Sequence, residues 1–218
     1  MALAIFDLDN TLIGGDSDHL WGQFVCNRKL VNSEHFSAQN DQFYKDYKSG
    51  NLDIAAYLRF ALAPLKGQPL DVLADWHRDF MREMISPVIL PKAQQLIANH
   101  RNRGDELLII TATNEFITRP IATALGIDDL LACEAEIVDG RYTGEPVGTP
   151  SFGAGKVTRL EAWLQNRDTS LEGAYFYSDS HNDLPLLEQV DKPIAVDPDA
   201  TLLARAKEAG WPVISLRA

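Results

Sequence analysis

The feature that most constrains the fold is a pair of aspartates at the end of a short apolar run. Residues 2–6 are all apolar, and residues 7–11 follow as Asp-Leu-Asp-Asn-Thr. A short apolar run bounded by polar residues is typical of a strand buried on both faces, as in the parallel sheet of an α/β protein. Because ligands of such sheets bind at the carboxyl ends of the strands, Asp7 and Asp9 are predicted to lie at a binding site.

The spacing of these two aspartates suggests a cation. Side chains two residues apart on an extended strand point the same way, so Asp7 and Asp9 would repel each other unless a cation lies between them or one turns aside. A solvated loop with an Asx turn is the alternative, because acidic residues often follow strands. The rest of the chain favours the binding site.

Two later segments supply groups that can bind a phosphate. Residues 107–110 form a second apolar run that leads into Thr111, Ala112 and Thr113, which places hydroxyl donors at a strand end. Lys156 opens the amphipathic stretch 157–164 and could reach the same place. Taken singly, Thr111 and Lys156 would be an ordinary strand-end hydroxyl and a surface lysine, so their order along the chain carries the argument.

A second pair of acids follows a third apolar run. Residues 174–177 lead into Ser-Asp-Ser-His-Asn-Asp, in which Asp179 and Asp183 are four residues apart. If a helix begins there, the two carboxylates share one face. The segment therefore predicts more acidic side chains at the same edge of the sheet.

Together these features resemble the four motifs of the haloacid dehalogenase (HAD) superfamily of phosphohydrolases. Those motifs are DxDx[TV], a strand ending in Ser or Thr, a Lys and a pair of acids, and here they occur in that order over nearly the whole chain. The resemblance implies an α/β core with a doubly wound, Rossmann-like parallel sheet. It also implies a helical cap inserted after the first strand, as in the phosphoserine phosphatase branch of the superfamily.

The resemblance also implies how the reaction would proceed. Asp7 would be the nucleophile that forms an aspartyl phosphate, which water then hydrolyses. Asp9 would act as general acid and base. Thr111, with Ala112 and Thr113 behind it, and Lys156 would bind the phosphoryl oxygens, where charge spreads in the transition state.

Mg²⁺ is the cofactor that this reaction would need, because a dianionic phosphate repels a carboxylate nucleophile. The candidate ligands are Asp7, Asp9 through its backbone carbonyl, and Asp179. Asp183 is a further candidate, either through a metal-bound water or as the acid that orients Lys156.

Hydrophobic periodicity predicts two domains. Residues 16–90 have a helical pattern without a strand signal and are predicted to form the cap domain, with residues 1–15 and 91–218 as the core domain. Within the core, residues 136–143 alternate around Asp139-Gly140, which predicts a hairpin at the sheet edge. Residues 193–196 and 212–215 are predicted to be the last two strands, separated by a helix over residues 200–209.

Substrate choice is expected to depend on the cap. Asp16 lies nine positions after Asp7, where phosphoserine phosphatases hold the substrate amine, although an N-cap of the following helix is an equal alternative. Arg59 lies two residues from the place of the family's carboxylate clamp and about 200° around a helix, so a clamp is not expected and Arg59 remains only a candidate substrate contact. An amine site without a carboxylate site suggests a phosphorylated amino alcohol, and histidinol phosphate fits best.

Five further cap residues could line a pocket of imidazole size. They are His19, Trp21, Asn40, Asp41 and Tyr44. Trp21 and Tyr44 could instead pack between cap helices, and His19 could be a solvated residue of a first helical turn.

Other functions remain open at this point. A phosphoserine phosphatase, another small-molecule phosphatase or a sugar phosphotransferase would share the first half-reaction. A phosphoacceptor receiver domain would also use a doubly wound sheet, an aspartate, a threonine and a lysine. A receiver, however, has its acid pair on the first strand and its acceptor on a middle strand, and it has no place for a long helical insertion.

Composition limits the partners. The 20 Lys and Arg against 31 Asp and Glu give a formal net charge of −11, which argues against nucleic acid. Cys26 and Cys133 have no metal-type spacing and are predicted to be free thiols. The start of the chain has no basic segment, and no run approaches the ~18 apolar residues of a membrane span, so a cytoplasmic enzyme that binds a small phosphorylated metabolite as a monomer or homodimer is expected.

Overall fold

The computed structural model describes residues 2–165 and 167–217. Its sheet has seven strands in the order β4-β3-β2-β1-β5-β6-β7. Neighbouring strands are parallel except for the antiparallel pair of β3 and β4. The strands are β1 Leu3–Phe6, β2 Glu106–Asn114, β3 Asp129–Val138, β4 Arg141–Val147, β5 Tyr175–Ser178, β6 Lys192–Val196 and β7 Val213–Ile214.

The predicted α/β fold with a doubly wound parallel sheet is confirmed. The central strand β1 pairs with β2 on one side and with β5 on the other, so the direction of winding reverses next to it. Ligands bind at such a reversal, at the carboxyl ends of the strands. The last residue of β1, Phe6, directly precedes Asp7.

Both faces of β1 are buried, as its apolar run predicts. Leu3 and Ile5 belong to one buried cluster, and Ala4 and Phe6 belong to the cluster on the other face, all with no exposed surface. Alternate side chains of a strand point to opposite faces, so a strand covered by helices on both sides has to be apolar throughout.

Helices fill the chain between β1 and the return to the sheet. We call residues 16–90 the helical insert. Ile13 and Ile89 form an antiparallel bridge where the chain leaves and rejoins the sheet region. The helices of the insert are α1 Ser17–Asn27, α2 Ser33–Lys48, α3 Ile54–Leu62 and α4 Leu70–Phe80, with short 3₁₀ turns at Ala63–Leu65 and Ser86–Val88.

The remaining helices pack against the sheet. They are α5 Pro91–Asn102, α6 Glu115–Ala124, α7 Ala154–Leu164, α8 Leu184–Leu187 and α9 Ala200–Ala209. The predicted helix over residues 200–209 is confirmed, and Gly210 ends it with a φ of +70°. The predicted edge hairpin is also confirmed, because Asp139 and Gly140 have φ values of +50° and +72° in a two-residue turn that joins β3 to the edge strand β4.

Two helices contain an irregular feature. The helical pattern over residues 70–84 is α-helical only to Phe80 and continues as a π turn over Met81–Ile85. The hydroxyl of Ser86 donates to the Met81 carbonyl at 2.9 Å, so a side chain competes for the helix acceptor at this point. Pro120 lies inside α6, which begins at Glu115 after the N-cap Asn114.

The cysteines and the apolar character of the helices can also be compared with the sequence analysis. Cys26 and Cys133 are free thiols. In the part of the chain that the structure describes, no helix combines the length and the apolar character needed to cross a bilayer.

Candidate active site

Three strand ends bring the predicted site residues together. Asp7 follows β1, Thr111 lies in β2 and Asp179 follows β5. The backbone N–H of Asp7 donates to the carbonyl of Tyr177 at 2.9 Å, which fixes the chain as it leaves the sheet. A cavity lies above these ends, and it is lined by Asp7, Asp9, Asp16, His19, Asn40, Phe43, Tyr44, Tyr47, Leu52, Ile54, Tyr57, Thr111, Ala112 and Thr113.

Lys156 bridges two of the predicted acids. Its Nζ lies 2.8 Å from Oδ1 of Asp7 and 2.7 Å from Oδ1 of Asp183, and the hydroxyl of Ser178 donates to Asp183 at 2.7 Å. Burial alone would lower the pKa of Lys156, but the charges of Asp183 and Asp7 outweigh burial and raise it. Lys156 is therefore a buried cation held directly beside the proposed nucleophile.

Burial raises the pKa of the Asp7 carboxyl to about 7, although Lys156 acts in the opposite direction. The charges of Asp183 and Asp9 add to this rise. The pKa of Asp179 is raised well above its ordinary value, first by burial and then by the charge of Asp7. One lysine thus does not compensate the negative charge gathered here.

The hydroxyl of Thr11 connects Asp7 with Asp179. Its Oγ1 lies 3.2 Å from Oδ2 of Asp7 and 3.4 Å from Oδ1 of Asp179, and Thr11 has no exposed surface. A hydroxyl has a single proton to donate, so it satisfies one of these carboxylates at a time. The two carboxylate oxygens converge on one point without enough donors between them.

This excess of buried carboxylate oxygen fits a hard divalent cation. Mg²⁺ is bound by a few carboxylates together with substrate oxygens and water. The described residues contain no cluster of three or more His, Cys, Asp or Glu side chains arranged as metal ligands. A magnesium ion here would therefore have two carboxylates as side-chain ligands, those of Asp7 and Asp179, and would need further oxygens from the backbone, substrate or water.

Asp9 is held on both of its oxygens. Oδ2 accepts from the hydroxyls of Thr113 at 2.9 Å and Thr111 at 3.2 Å, and Oδ1 accepts from the backbone N–H of Ser17 at 2.6 Å. Burial raises the pKa of Asp9 to about 6, and the charge of Asp16 adds to the effect. The side chain of Asp9 is thus tied to β2 and to the start of α1, and it turns aside from Asp7.

The helical insert contributes Asp16, His19 and Tyr44 to the cavity. Asp16 is the N-cap of α1 and accepts from the His19 N–H at 2.8 Å, so the N-cap interpretation is confirmed while the side chain also lines the cavity. Burial raises the pKa of Asp16. The rings of His19 and Tyr44 stack at 4.7 Å, so neither residue matches its alternative of a solvated or purely packing side chain.

Arg59 lies elsewhere. Its Nε donates to Glu145 of the β4 strand at 2.8 Å, both side chains are more than half exposed, and Arg59 does not line the cavity. The structure therefore gives no support to Arg59 as a substrate contact. Its position on α3 directs it to the hairpin.

Asp179 is placed differently from the sequence prediction. The short 3₁₀ turn His181–Asp183 begins after Asp179, so Asp179 and Asp183 do not share a helical face. They face different partners, Thr11 and Lys156 respectively.

Sequence reasoning did not assign roles to several residues of this site. Thr11 and Ser178 could have been found from their positions beside Asp9 and Asp179, since a hydroxyl at a strand end is a typical carboxylate donor. Tyr57 carries no such signal, because it reaches the cavity only through the packing of α3.

The doubly wound sheet, with acids, a threonine and a lysine at its strand ends, is the arrangement of a HAD-like hydrolase. The haloacid dehalogenase-like hydrolase family matches residues 4–188, and the chain belongs to that family.

Individual relatives narrow the comparison. The chain is 50% identical to the histidinol-phosphatase of Neisseria meningitidis serogroup C (strain 8013) over 99% of both chains. A protein of unknown function from Bordetella pertussis Tohama I has a crystal structure with a TM-score of 0.92 and 41% identity, covering 99% of this chain and 98% of that one. A structure of phosphoserine phosphatase as a phospho-aspartyl intermediate analogue, at 19% identity, has a TM-score of 0.71 over 99% and 93% of the two chains, which shows a shared fold.

Proposed function

We propose that this phosphatase of the HAD type hydrolyses histidinol phosphate through an aspartyl phosphate on Asp7. The proposal depends most on one observation about the cavity. Asp16 lines its insert side, whereas none of its described lining residues is an arginine or lysine. Such a cavity suits a substrate with an amine and no carboxylate. The relative from Neisseria that carries the name histidinol-phosphatase supports the same choice.

Phosphoserine fits the cavity less well. Its carboxylate would lie among the carboxylates of Asp7, Asp9 and Asp16, and like charges at close range cost several kcal/mol. Lys48 is the cation nearby on the insert, but it lies outside the described lining, with Nζ over the Tyr44 ring and 4.4 Å from its centre. The amine of either substrate would pair with Asp16. The carboxylate is therefore the group that decides between the two substrates.

In the first half-reaction, the Asp7 carboxylate would attack phosphorus and the substrate alcohol would leave. Lys156, with Nζ 2.8 Å from Oδ1 of Asp7, would stabilise the charge that spreads over the phosphoryl oxygens. Thr111, Ala112 and Thr113 line the cavity and would bind the same oxygens. In the second half-reaction, water would attack the same phosphorus and regenerate Asp7.

Asp9 would carry the proton in both steps. It would donate to the leaving alkoxide and later take a proton from the attacking water, a role worth about 10²- to 10⁴-fold in rate. The hydrogen bonds from Thr113, Thr111 and Ser17 hold its carboxyl at the cavity rather than on Asp7.

Mg²⁺ would be held by Asp7, Asp179 and the backbone carbonyl of Asp9, and it would neutralise the phosphate that the nucleophile approaches. The contacts of Asp183 favour its other predicted role, because its two oxygens engage Lys156 and Ser178.

We further propose that the helical insert is a cap domain that opens on the core of residues 1–15 and 91–218. Residues of the insert, Asp16, His19 and Tyr44, and residues of the core, Asp7 and Thr111, line the same cavity. Movement of the insert away from the strand ends would open that cavity to the substrate.

A phosphate-release assay tests the proposal. We expect turnover of histidinol phosphate to exceed turnover of phosphoserine by at least about tenfold, the factor that corresponds to 1.4 kcal/mol. Activity should be lost when EDTA removes divalent ions and should return with Mg²⁺. A preference for phosphoserine would contradict histidinol phosphate as the substrate, and full activity in EDTA would contradict the requirement for Mg²⁺.

A further inference from the structure

On the insert side of the cavity, the His19 imidazole uses both of its nitrogens within the protein. Nδ1 lies 3.2 Å from Nδ2 of Asn40, and Nε2 lies 3.0 Å from the side-chain amide of Gln23. Asn40 is 5% exposed and also donates from the same Nδ2 to the backbone carbonyl of His19 at 3.1 Å. Two contacts to one residue therefore fix the orientation of the Asn40 amide.

These contacts define the protonation state of His19. A carbonyl can only accept, so the atom of Asn40 that faces it has to be the NH₂ group. The second proton of that NH₂ points at Nδ1, which must then accept and carry no proton. The ring proton is on Nε2, and the Gln23 amide accepts it once its oxygen and nitrogen are exchanged by a half-turn.

The charges around His19 agree with a neutral ring. Burial lowers the pKa of His19, and the charge of Lys48 lowers it further. The carboxylate of Asp41, 3.9 Å from Nε2, acts in the opposite direction and raises the pKa. With both nitrogens engaged, His19 can neither transfer a proton to the substrate nor donate a hydrogen bond to it. Only the flat ring is left to face the cavity.

Tyr44 stacks on one face of this ring, and Lys48 lies over the Tyr44 ring with Nζ 4.4 Å from its centre, so the other face of His19 is the one free to stack on a substrate. The two rings stack at 4.7 Å with an angle of 26° between their planes, and both line the cavity. We call His19 and Tyr44 the aromatic wall. Stacking on such a surface favours planar rings, and aromatic pairs contribute about 0.5–1.5 kcal/mol beyond the area they bury.

Gly22 explains how Asn40 can come so close. A Cβ at position 22 would lie 2.4 Å from Nδ2 of Asn40, which is closer than atoms can approach. Glycine inside a helix costs roughly 0.5–1 kcal/mol relative to alanine. In α1, glycine is needed at position 22 despite this cost, because any side chain there would displace Asn40 from His19.

From this geometry we infer that the aromatic wall selects phosphomonoesters whose leaving alcohol carries a planar ring, and that Asn40 is the positioning residue of the wall. The inference rests on the proposed function and deepens it, because it names the part of the substrate that the insert recognises. Asp16 would hold the amine, and the wall would hold the ring.

A spectroscopic experiment tests the positioning role without substrate. In ¹H–¹⁵N spectra of the five histidines, the signals that disappear in His19→Leu identify His19. We expect an unprotonated Nδ1 and a protonated Nε2 at pH 7 in the wild type, and loss of this pattern in Asn40→Leu. A protonated Nδ1, or an imidazolium, in the wild type would overturn the inference.

A kinetic experiment tests selection of the ring. Histidinol phosphate and phosphoethanolamine both carry an amine, but only the first has a ring. His19→Leu should lower kcat/KM for histidinol phosphate about 10-fold more than for phosphoethanolamine, mostly through KM. Asn40→Leu should show the same selectivity, and adding it to His19→Leu should cost less than about a further twofold if Asn40 acts through His19.

His35→Leu is the matched control, because His35 is an exposed histidine on α2 outside the cavity. It should leave kcat/KM unchanged for both histidinol phosphate and phosphoethanolamine. Equal losses on both substrates in His19→Leu and Asn40→Leu would overturn this inference while leaving the proposed function intact. A wild type that prefers phosphoserine to histidinol phosphate would instead overturn the proposed function.

Discussion

At the scale of single residues, the acids of the site differ in what holds them. Asp7 and Asp183 share Lys156, whereas Asp179 has only the Thr11 hydroxyl among the described hydrogen bonds and ion pairs. Lys156 opposes the effect of burial on the pKa of Asp7 but does not cancel it. An acid such as Asp179, buried beside another carboxylate, is suited to a metal ion.

The change Asp7→Asn should abolish turnover while the protein stays folded. An amide has nearly the shape of a carboxyl but is not a nucleophile for phosphorus, and Lys156 keeps its contact with Asp183 at 2.7 Å. We expect kcat to fall at least about 10⁴-fold, as when a covalent nucleophile is removed, and Tm to stay within a few degrees. Phosphate release and thermal melting measure the two effects. Residual activity within about tenfold of the wild type would exclude Asp7 as nucleophile.

Asp18 provides a prediction about stability and pH. It is 3% exposed, its Oδ2 has no hydrogen-bond partner among the described residues, and burial raises its pKa to about 8 despite the hydroxyl of Tyr57. Between about pH 4 and 8 the folded protein keeps a proton on Asp18 that the unfolded chain releases. This group therefore makes stability fall as pH rises through that range.

Asp18→Asn should accordingly raise Tm, by more at pH 8 than at pH 5. A gain of about 1 kcal/mol corresponds to roughly 2–4 °C for a domain of this size. Asp71→Asn is the control, since Asp71 is an exposed acid in the first turn of α4 and helps that helix start. It should lower Tm slightly at both pH values. A lower Tm for Asp18→Asn at pH 8 would contradict the assignment of the buried proton.

The sequence predicts residues of the site where chemistry and chain order coincide. Asp7, Asp9, Thr111 and Lys156 follow from strand ends and motif order, because parallel strands bring their carboxyl ends to one edge. The contact of Asn40 with His19 is not predictable in this way, since it depends on the distance between α1 and α2. Only the glycine at position 22, inside a helical pattern, hints at that close approach.

At the scale of elements, the ends of helices connect the site to its surroundings. Asp199 is the N-cap of α9, and its Oδ1 accepts from the Leu202 N–H at 2.8 Å. Its Oδ2 accepts from the backbone N–H and from Nδ1 of His181, both at 2.7 Å. One carboxylate thus starts α9 and holds the turn that leads to Asp183.

Asp199→Ala should therefore affect both stability and activity. Loss of an N-cap costs about 1 kcal/mol, or roughly 2–4 °C in Tm, and release of the His181 turn should lower kcat several-fold because Lys156 depends on Asp183. Asp53→Ala is the matched control, since Asp53 caps α3 through the N–H groups of Ala55 and Ala56. It should lower Tm by a similar amount with little change in kcat. Equal kcat values for the two variants would show that the cap of α9 does not support the site.

The boundaries of elements are less predictable than their existence. The hairpin at Asp139-Gly140 follows from the sequence because a two-residue turn requires positive φ at both positions. The π turn over Met81–Ile85 does not, because the same apolar pattern fits an α-helix. The bond from the Ser86 hydroxyl to the Met81 carbonyl becomes visible only in the folded chain.

At the scale of the whole molecule, the end of α2 in the helical insert contacts the loops at the strand ends. Nδ2 of Asn182, beside the acids of the last motif, donates to the carbonyl of Tyr47 at 3.2 Å. The ring of Tyr47 lies 6.2 Å from that of Phe152, and Gly50, with a φ of +74°, leaves room for His181. The proposed opening of the insert would break these contacts together.

Asn182→Ala should shift the molecule towards its open form. The Tyr47 carbonyl loses one donor, worth about 1 kcal/mol, so kcat/KM should fall by about fivefold. Because the contact is remote from the substrate's amine and ring, histidinol phosphate and phosphoethanolamine should be affected alike. This equality separates closure of the insert from recognition of the ring, which is substrate-selective.

Asn51→Ala is the control for that experiment. Asn51 is exposed next to Gly50, and its side chain donates only to the Ser49 hydroxyl among the described hydrogen bonds. Steady-state kinetics on both phosphates, with hydrogen exchange of the α2 amides, measure the effect, and exchange should be faster in Asn182→Ala and unchanged in Asn51→Ala. Unchanged kinetics and exchange in Asn182→Ala would mean that this bond does not hold the insert closed. Closure would then depend on other contacts near the end of α2, such as the packing of Tyr47 against Phe152 and of Gly50 against His181.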